Sequence, residues 1–450
     1  MAEPGRHPRE VGLIGGNGAC ERFSFHGMAS ILVLYMNGHL LYGERDAKAG
    51  YHAFVMAASL APILGGWIAG RFLGRHRSIA RASFPYVLGL AVLATWGSRA
   101  ALVLGLALVA VGAGGIAPCV SALVGDELRD APATLRRRAH RWLHPVVNVG
   151  SAASMLLVPA LLAAFGPRAA FALPAALMAA ALLVFRSGHV VPQPSGPDPH
   201  GFLRVVVHAV SRLGTGQGHP HWLDLARDVH PAEAVDGAKA VFRMTGVFAA
   251  VTVFWALFHQ KGSSWVFQAR QMDLALAGRQ LSPAQLQALS PLLLLALLPL
   301  LTRAVFPVLE RRGTALPPLR KLSAGMFVTA ASFAAAALVQ GLIDSGRVPH
   351  ALWQIPQYVL LTAGEVLVSV GALEIGTTRA PSAMRSTITS IWFLTIFLGN
   401  LVTVLVTQVV RLEGAAYFWF FAGLMLAAAL VFRTIARSGR SEPADVVVAE

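Results

Sequence analysis

Glu21 and Arg22 stand side by side in GNGACERFSFHGM, at the mouth of a long apolar run, and Glu365 stands inside another, QYVLLTAGEVLVSVGALE. A Glu or Arg within a membrane span costs roughly 2.5–3.5 kcal/mol on insertion scales, so such a group faces a partner or a water-filled cavity. Glu365 is too far from either end of its run to reach water by extending its side chain. A carboxylate there can recognise a cation or relay a proton. For Glu21 and Arg22, near the start of their run, two readings stand open: a functional charge pair, or long side chains snorkelling to the interface. Four histidines accompany them: His26, His52 in YHAFVMAASLAPILGG, His144 in LHPVVNVGS and His259 in FWALFHQKGSS. A single membrane histidine is often a hydrogen-bonded packing residue. Four within spans point to proton handling, because imidazole titrates at about pH 6.5.

The elements that must position these groups follow from composition. The chain has 450 residues, is 55% hydrophobic and 13% charged, and has a mean hydropathy of +0.60. A soluble domain carries about 25% charged residues, so lipid must cover much of this surface. Twelve apolar segments are each long enough to cross, with cores near 23–41, 51–70, 82–98, 101–124, 143–164, 168–185, 242–262, 289–309, 322–343, 352–376, 388–409 and 415–434. Alternate connections are rich in arginine (GRFLGRHRSIARAS, LRDAPATLRRRAHR, ERRGTALPPLRK), whereas FGPR, LIDSGRVPH and RLEG are poor in it. Arginine-rich loops stay cytoplasmic, which places both termini inside a cell membrane, the inner one in a bacterium. The net charge of +15 is thereby a topology signal and not a nucleic-acid surface.

One long polar stretch divides the spans six and six. The expected organisation is an N-terminal six-helix bundle over 1–186, a cytoplasmic linker over 187–240 and a C-terminal six-helix bundle over 241–450. Within the linker, VVVHAVSRL and AVDGAKAVF are expected as amphipathic helices at the inner interface. An all-α membrane protein of this layout matches the major facilitator type of transporter. The first twenty residues lack an apolar core, so no cleaved signal is expected. Cys20 and Cys119 form no disulfide framework or zinc motif. GAGGIAP has no preceding strand and reads as a helix-packing face, with Pro118 bending the span. HPHWLD fits no standard zinc spacing, and no GxSxG, HExxH or Walker loop occurs, which argues against an enzyme.

The residues also resemble a family. ERFSFHGMASILVLYM is similar to the first span of proton-dependent oligopeptide transporters, with the motif ExxERFxYYG. GGIAPCVSALVGDE, VVNVGS, HWLDLA, FWALFHQKGSSWVFQARQM, LSPLLLLALLPLL, PLRKLSAGMF, QYVLLTAGEVLVSVGALE and RAPSAMRS follow in family order. The wording is closest to the animal-type branch, although the connection between spans nine and ten is too short for that branch's extracellular domain. The resemblance implies two six-helix bundles around a central cavity open alternately to each side. It implies import of di- and tripeptides by protons, with no other cofactor, by a monomer in the bilayer. By residue match, Glu365 would take the peptide ammonium with help from Asn148, and Arg22 would hold the carboxylate, where a guanidinium fits bidentately. Phe25, His26 and Ser290 fall on matching cavity positions, and Trp265 and Trp392 would wall side-chain pockets.

Several family positions are altered. The first Glu of ExxER is Gly18, the lysine of GGIKP is Ala117, and the span-seven acid is His259. Tyrosines are replaced by His26 and His144, the asparagine opening span eight by Ser290, and the acid of DxxxGR by Gly70, though Arg75 remains. In the family the span-four lysine pairs with the span-seven acid. Losing one partner would strand a buried charge at a cost of roughly 3–5 kcal/mol, and losing both avoids it. Three functions follow: a peptide symporter coupled through Glu21, His26, His52 and His259; an uncoupled facilitator or exchanger of peptides or another small zwitterion or anion; or a transport-dead sensor or scaffold. Retention of Arg22, Asn148 and Glu365 speaks against the last.

Overall fold

The computed structural model describes residues 9–128, 132–186, 201–214, 220–314, 316–379 and 384–438. Its architecture is helical throughout, apart from a two-residue hairpin pairing Ala275–Leu276 with Arg279–Gln280. Among the described residues, ten stretches are long and apolar enough to cross a membrane.

The first half holds α1 (Arg9–Gly38), α2 (Glu44–Ile68), α3 (Arg75–Thr95), α4 (Arg99–Glu127) and α5 (Ala133–Arg186). α1 is not among the ten, because Asn17, Glu21, Arg22 and His26 dilute its apolar run. It begins well before the span core expected from sequence, so Glu21 and Arg22 fall mid-helix and not at its mouth. α5 is broken at Gly166, whose φ of 78° and ψ of −177° leave the helical region, with Pro167 following. A side chain at that φ would be strained, so glycine is what lets the chain turn there.

Within the 187–240 stretch lie α6 (Phe202–Ser211) and the start of α7 (Ala232–Phe258), followed by a tight turn over His259–Gly262, α8 (Ser264–Arg270), α9 (Leu289–Leu300), α10 (Phe306–Arg311), α11 (Pro318–Asp344), α12 (Ile355–Arg379), α13 (Arg385–Leu405) and α14 (Gly414–Ser438). VVVHAVSRL forms most of α6, which buries Val205 and Ala209 on one face. AVDGAKAVF does not form a second free helix. It is the opening of α7 and runs unbroken into the apolar segment.

Two large apolar clusters hold the molecule together. One joins α1 to α5 and takes in Val266, Phe267 and Ala284 from the second half. The other joins α7, α11, α12 and α14 around Phe254, Phe333, Tyr358 and Phe421. GAGGIAP packs as its small residues suggest. Gly114 of α4 meets the backbone of Ala61 on α2, and Gly65 of α2 meets the backbone of Gly114, with no room for a Cβ at either.

Candidate functional site

Glu21 is 1% exposed, and its Oε2 accepts a 2.6 Å hydrogen bond from Arg22 Nε. Its Oε1 is buried and has no partner. The Arg22 side chain is 29% exposed, and its guanidinium lies 5.5 Å from the centroid of the Phe25 ring. Burial to this degree removes the snorkelling alternative for Glu21, since the carboxylate stays in the bundle. Phe25 packs on Phe54 of α2 and meets the edge of His26. Tyr86 of α3 donates to the backbone carbonyl of Glu21 at 3.3 Å, fixing this turn of α1.

The second half contributes Glu365 on α12 and Lys261 in the turn between α7 and α8. Glu365 Oε2 is buried without a hydrogen-bond partner. Lys261 Nζ donates to Ser290 Oγ at 2.7 Å and lies 3.6 Å from the Phe258 ring centroid. Lys261 is within electrostatic range of Glu365, and His26 is within range of Arg22, Lys261 and His259. Charged groups from α1, the α7–α8 turn and α12 therefore converge on one region. Sequence reasoning passed over Lys261 although the rule applied to Glu365 applies to it equally: a lysine inside an apolar span needs a partner.

Two of the candidate histidines meet through a residue that sequence gave no reason to choose. His52 is fully buried, its Nδ1 2.7 Å from Asn400 Oδ1 and its Nε2 2.9 Å from Ser263 Oγ. Asn400 Nδ2 in turn reaches His259 Nδ1 at 3.2 Å and Ile396 O at 2.8 Å. The amide oxygen accepts from His52, and the amide nitrogen donates to His259. His259 Nδ1 is also 3.2 Å from the Trp255 carbonyl. That nitrogen cannot accept from Asn400 and donate to Trp255 at once, so adding a proton to it changes its partner. Gly399 supports the junction: α13 lies against the backbone of Thr252 and Ala256 there, with no space for a side chain.

The remaining predicted residues take different surroundings. Asn148 is half-buried on α5. Trp392 is half-buried and meets Trp255 edge-on. Trp265 is fully buried against Tyr358 and Phe333, inside the second apolar cluster and away from any open surface. The side chain of His144 lies outside the described residues. Gly18, where the family has an acid, backs onto Val120 of α4, 3.0 Å from where a Cβ would stand. Among the described residues no cluster of His, Cys, Asp or Glu could hold a metal. Asp224 of HPHWLD is instead engaged by Lys239 at 2.5 Å and Arg227 at 2.6 Å.

The two halves are tied at the end that carries the α1–α2 turn. Arg270 of α8 donates to Asn37 at 2.6 Å and pairs with Glu44, and Arg45 reaches Glu413 at 3.3 Å. Lys48 sits over the rings of Phe267 and Tyr417. A cavity of about 760 Å³ opens beside these contacts, lined by Asp46, Lys48, Gln268, Asp344 and Glu413 among others. α8 is oriented by Gln268, which donates to Ala336 O and Gln340 and accepts from Gln354 and Gln357. Among the described residues, the side-chain hydrogen bonds between halves lie at this end or partway down, at Ser30, His52 and Leu156. None involves Glu21 or Arg22.

Comparison with known proteins agrees with this architecture. A model described as "PTR2: POT family" matches residues 76–420. Human "Solute carrier family 15 member 2" is 34% identical over 357 residues, covering 74% of this chain and 49% of that protein. Mouse "Solute carrier family 15 member 1" is 32% identical over 373 residues, with 75% and 52% covered. The chain thus spans about half the length of the curated relatives it matches. A crystal structure of an auto-inhibited POT family peptide transporter superposes with a TM-score of 0.90 at 34% identity, covering 98% of this chain and 99% of that one. The POT family transporter PepTSo gives a TM-score of 0.89, also at 34% identity, with 97% and 99% covered.

Proposed function

We propose a function from one premise: the chain belongs to the POT family. It is a multi-pass membrane transporter and not an enzyme. Its cargo is di- and tripeptides, imported by alternating access of two six-helix bundles. Ten spanning stretches, the long α1 and the break at Gly166 support a count of twelve spans.

The observation that carries the peptide reading is Glu365. A buried carboxylate oxygen without a partner is costly unless a ligand completes it, and a peptide ammonium does so with a charge-assisted hydrogen bond. Arg22, held by Glu21 beside Phe25, serves the carboxylate end, and Asn148, His26, Ser290 and Trp392 complete the surroundings. Arginine-rich connections put the α1–α2 end outside, so the Arg270–Glu44 and Arg45–Glu413 pairs close the outer mouth.

Proton coupling runs through His52, Asn400 and His259, with Glu21 as a further acceptor. A proton on His259 Nδ1 turns that nitrogen from Asn400 toward the Trp255 carbonyl, and the amide then loses its hold on the far side of the junction. Coupling of this kind biases inward-facing against outward-facing states. The test is dialanine uptake into liposomes with and without an inward pH gradient. Accumulation above equilibrium only with the gradient is expected. Equal equilibration in both conditions would replace the symporter by a facilitator, the reading favoured by the loss of the acid at position 259. His259→Gln is expected to flatten the pH dependence of uptake while counterflow persists, and an unaltered pH profile would remove His259 from the coupling.

A further inference from the structure

Ala117 stands where the family has its span-four lysine, yet the region where Arg22 and Glu365 converge has not lost a cation. Lys261 supplies one from the opposite half. We propose that Lys261 is a second anion-binding group beside Arg22, and that it biases the transporter toward peptides carrying an additional carboxylate and against basic ones. The proposal rests on the peptide reading above and names the substrate class within it.

The geometry around Lys261 leaves it free to bind. Its ammonium carries three N–H donors, of which one goes to Ser290 Oγ at 2.7 Å. The Phe258 face, 3.6 Å away, stabilises the charge without using a donor. Glu365 is the charge it faces, yet among the described residues Lys261 forms no ion pair within 4.0 Å. Two opposite charges held near each other but unbonded each keep capacity for a ligand. Were they a closed pair, a zwitterion would first have to break it. Ser290 fits the same rearrangement, since a hydroxyl can accept from the ammonium and hold it in place.

The local donors, not the net charge, then set the preference. Glu21 cancels Arg22, and Glu365 balances Lys261, so the empty site is neutral apart from its histidines. A zwitterionic peptide preserves that balance. An acidic side chain adds a carboxylate that the two unused N–H donors of Lys261 can hold, whereas a basic one adds a positive charge beside Lys261 with no donor or acceptor of that group to take it. Desolvated like charges repel strongly, so the second case is disfavoured.

The test is binding of Ala-Ala, Ala-Glu and Ala-Lys to the full purified chain by titration calorimetry. Wild type is expected to bind Ala-Glu at least as tightly as Ala-Ala and Ala-Lys about tenfold more weakly. Lys261→Gln is expected to lose about tenfold for Ala-Glu and to gain for Ala-Lys, while Lys261→Arg keeps the wild-type order. If Lys261→Gln binds all three as wild type does, or Lys261→Arg behaves like the glutamine variant, the assignment is overturned while the peptide site stands. If wild type binds none of the three, the peptide reading itself fails and this one with it. Ser290→Ala, which leaves the charge but removes its anchor, reads the same preference should Lys261→Gln not fold. A smaller loss for Ala-Glu supports the assignment, and no change overturns it.

Discussion

Glu21–Arg22 and Glu365–Lys261 are both acid–base couples inside a membrane bundle, and they are built in opposite ways. The first joins sequence neighbours on one helix at 2.6 Å, with the arginine stacked over Phe25. The second brings together residues from α12 and the α7–α8 turn without an ion pair between them, although Glu21 and Glu365 each keep one buried carboxylate oxygen without a partner. A closed pair satisfies its own charges and contributes to the fold. An open pair costs stability when the site is empty and regains it when a ligand arrives. The difference divides the site into a fixed half and a receiving half.

Substitutions can break or sharpen that contrast. Glu21→Gln should be the most damaging to stability, by about 3 kcal/mol, because it strands the largely buried Arg22; the thermal unfolding midpoint reads it. Glu365→Gln should leave that midpoint unchanged or raise it, yet weaken dipeptide binding by about 2 kcal/mol, some thirtyfold. A large midpoint drop in this variant would show the second pair closed like the first. Asn400→Ala removes the bridge between His52 and His259 and should cost about 1 kcal/mol, with a displaced pH profile of uptake.

The smallest effect belongs outside the membrane. Burial alone would raise the Asp224 carboxyl, but hydrogen bonds from Lys239 and Arg227 prevail and hold it at about 2. Its folded-state value lies below its ordinary one, so its stabilisation is complete above about pH 4 and is lost as the pH falls toward 2. The midpoint difference between wild type and Asp224→Asn, expected below about 1 kcal/mol at neutral pH, should vanish across that window.

What could be read from sequence depended on whether a residue announces its own cost. A carboxylate or guanidinium in an apolar run does so, and Glu21, Arg22 and Glu365 were legible for that reason. The apolar runs were legible too, although dilution by polar residues hid the early start of α1, which begins well before the apolar run that Glu21 and Arg22 open. Asn400 and Ser263 are neutral, ordinary in composition and 348 and 211 residues away from His52, so nothing local marks them. The glutamines around Gln268 are silent for the same reason. Trp265 shows the converse limit: a matched aromatic position identifies a large ring without saying whether it lines a cavity or fills the core.

The ion pairs that tie the two halves at the α1–α2 end have a consequence for turnover. Arg270–Glu44 and Arg45–Glu413 are exposed ion pairs, each worth about 0–1 kcal/mol and softened by salt within a Debye length of about 8–10 Å. A carrier that opened a buried apolar seam on every passage would be slow. Here Val266 and Phe267 are buried in the first half's apolar cluster, and the exposed ion pairs are the part of the fastening that salt can weaken. Raising the ionic strength at that face should therefore loosen the fastening and shift the resting orientation, while the buried Glu21, Glu365 and Lys261 groups are left untouched.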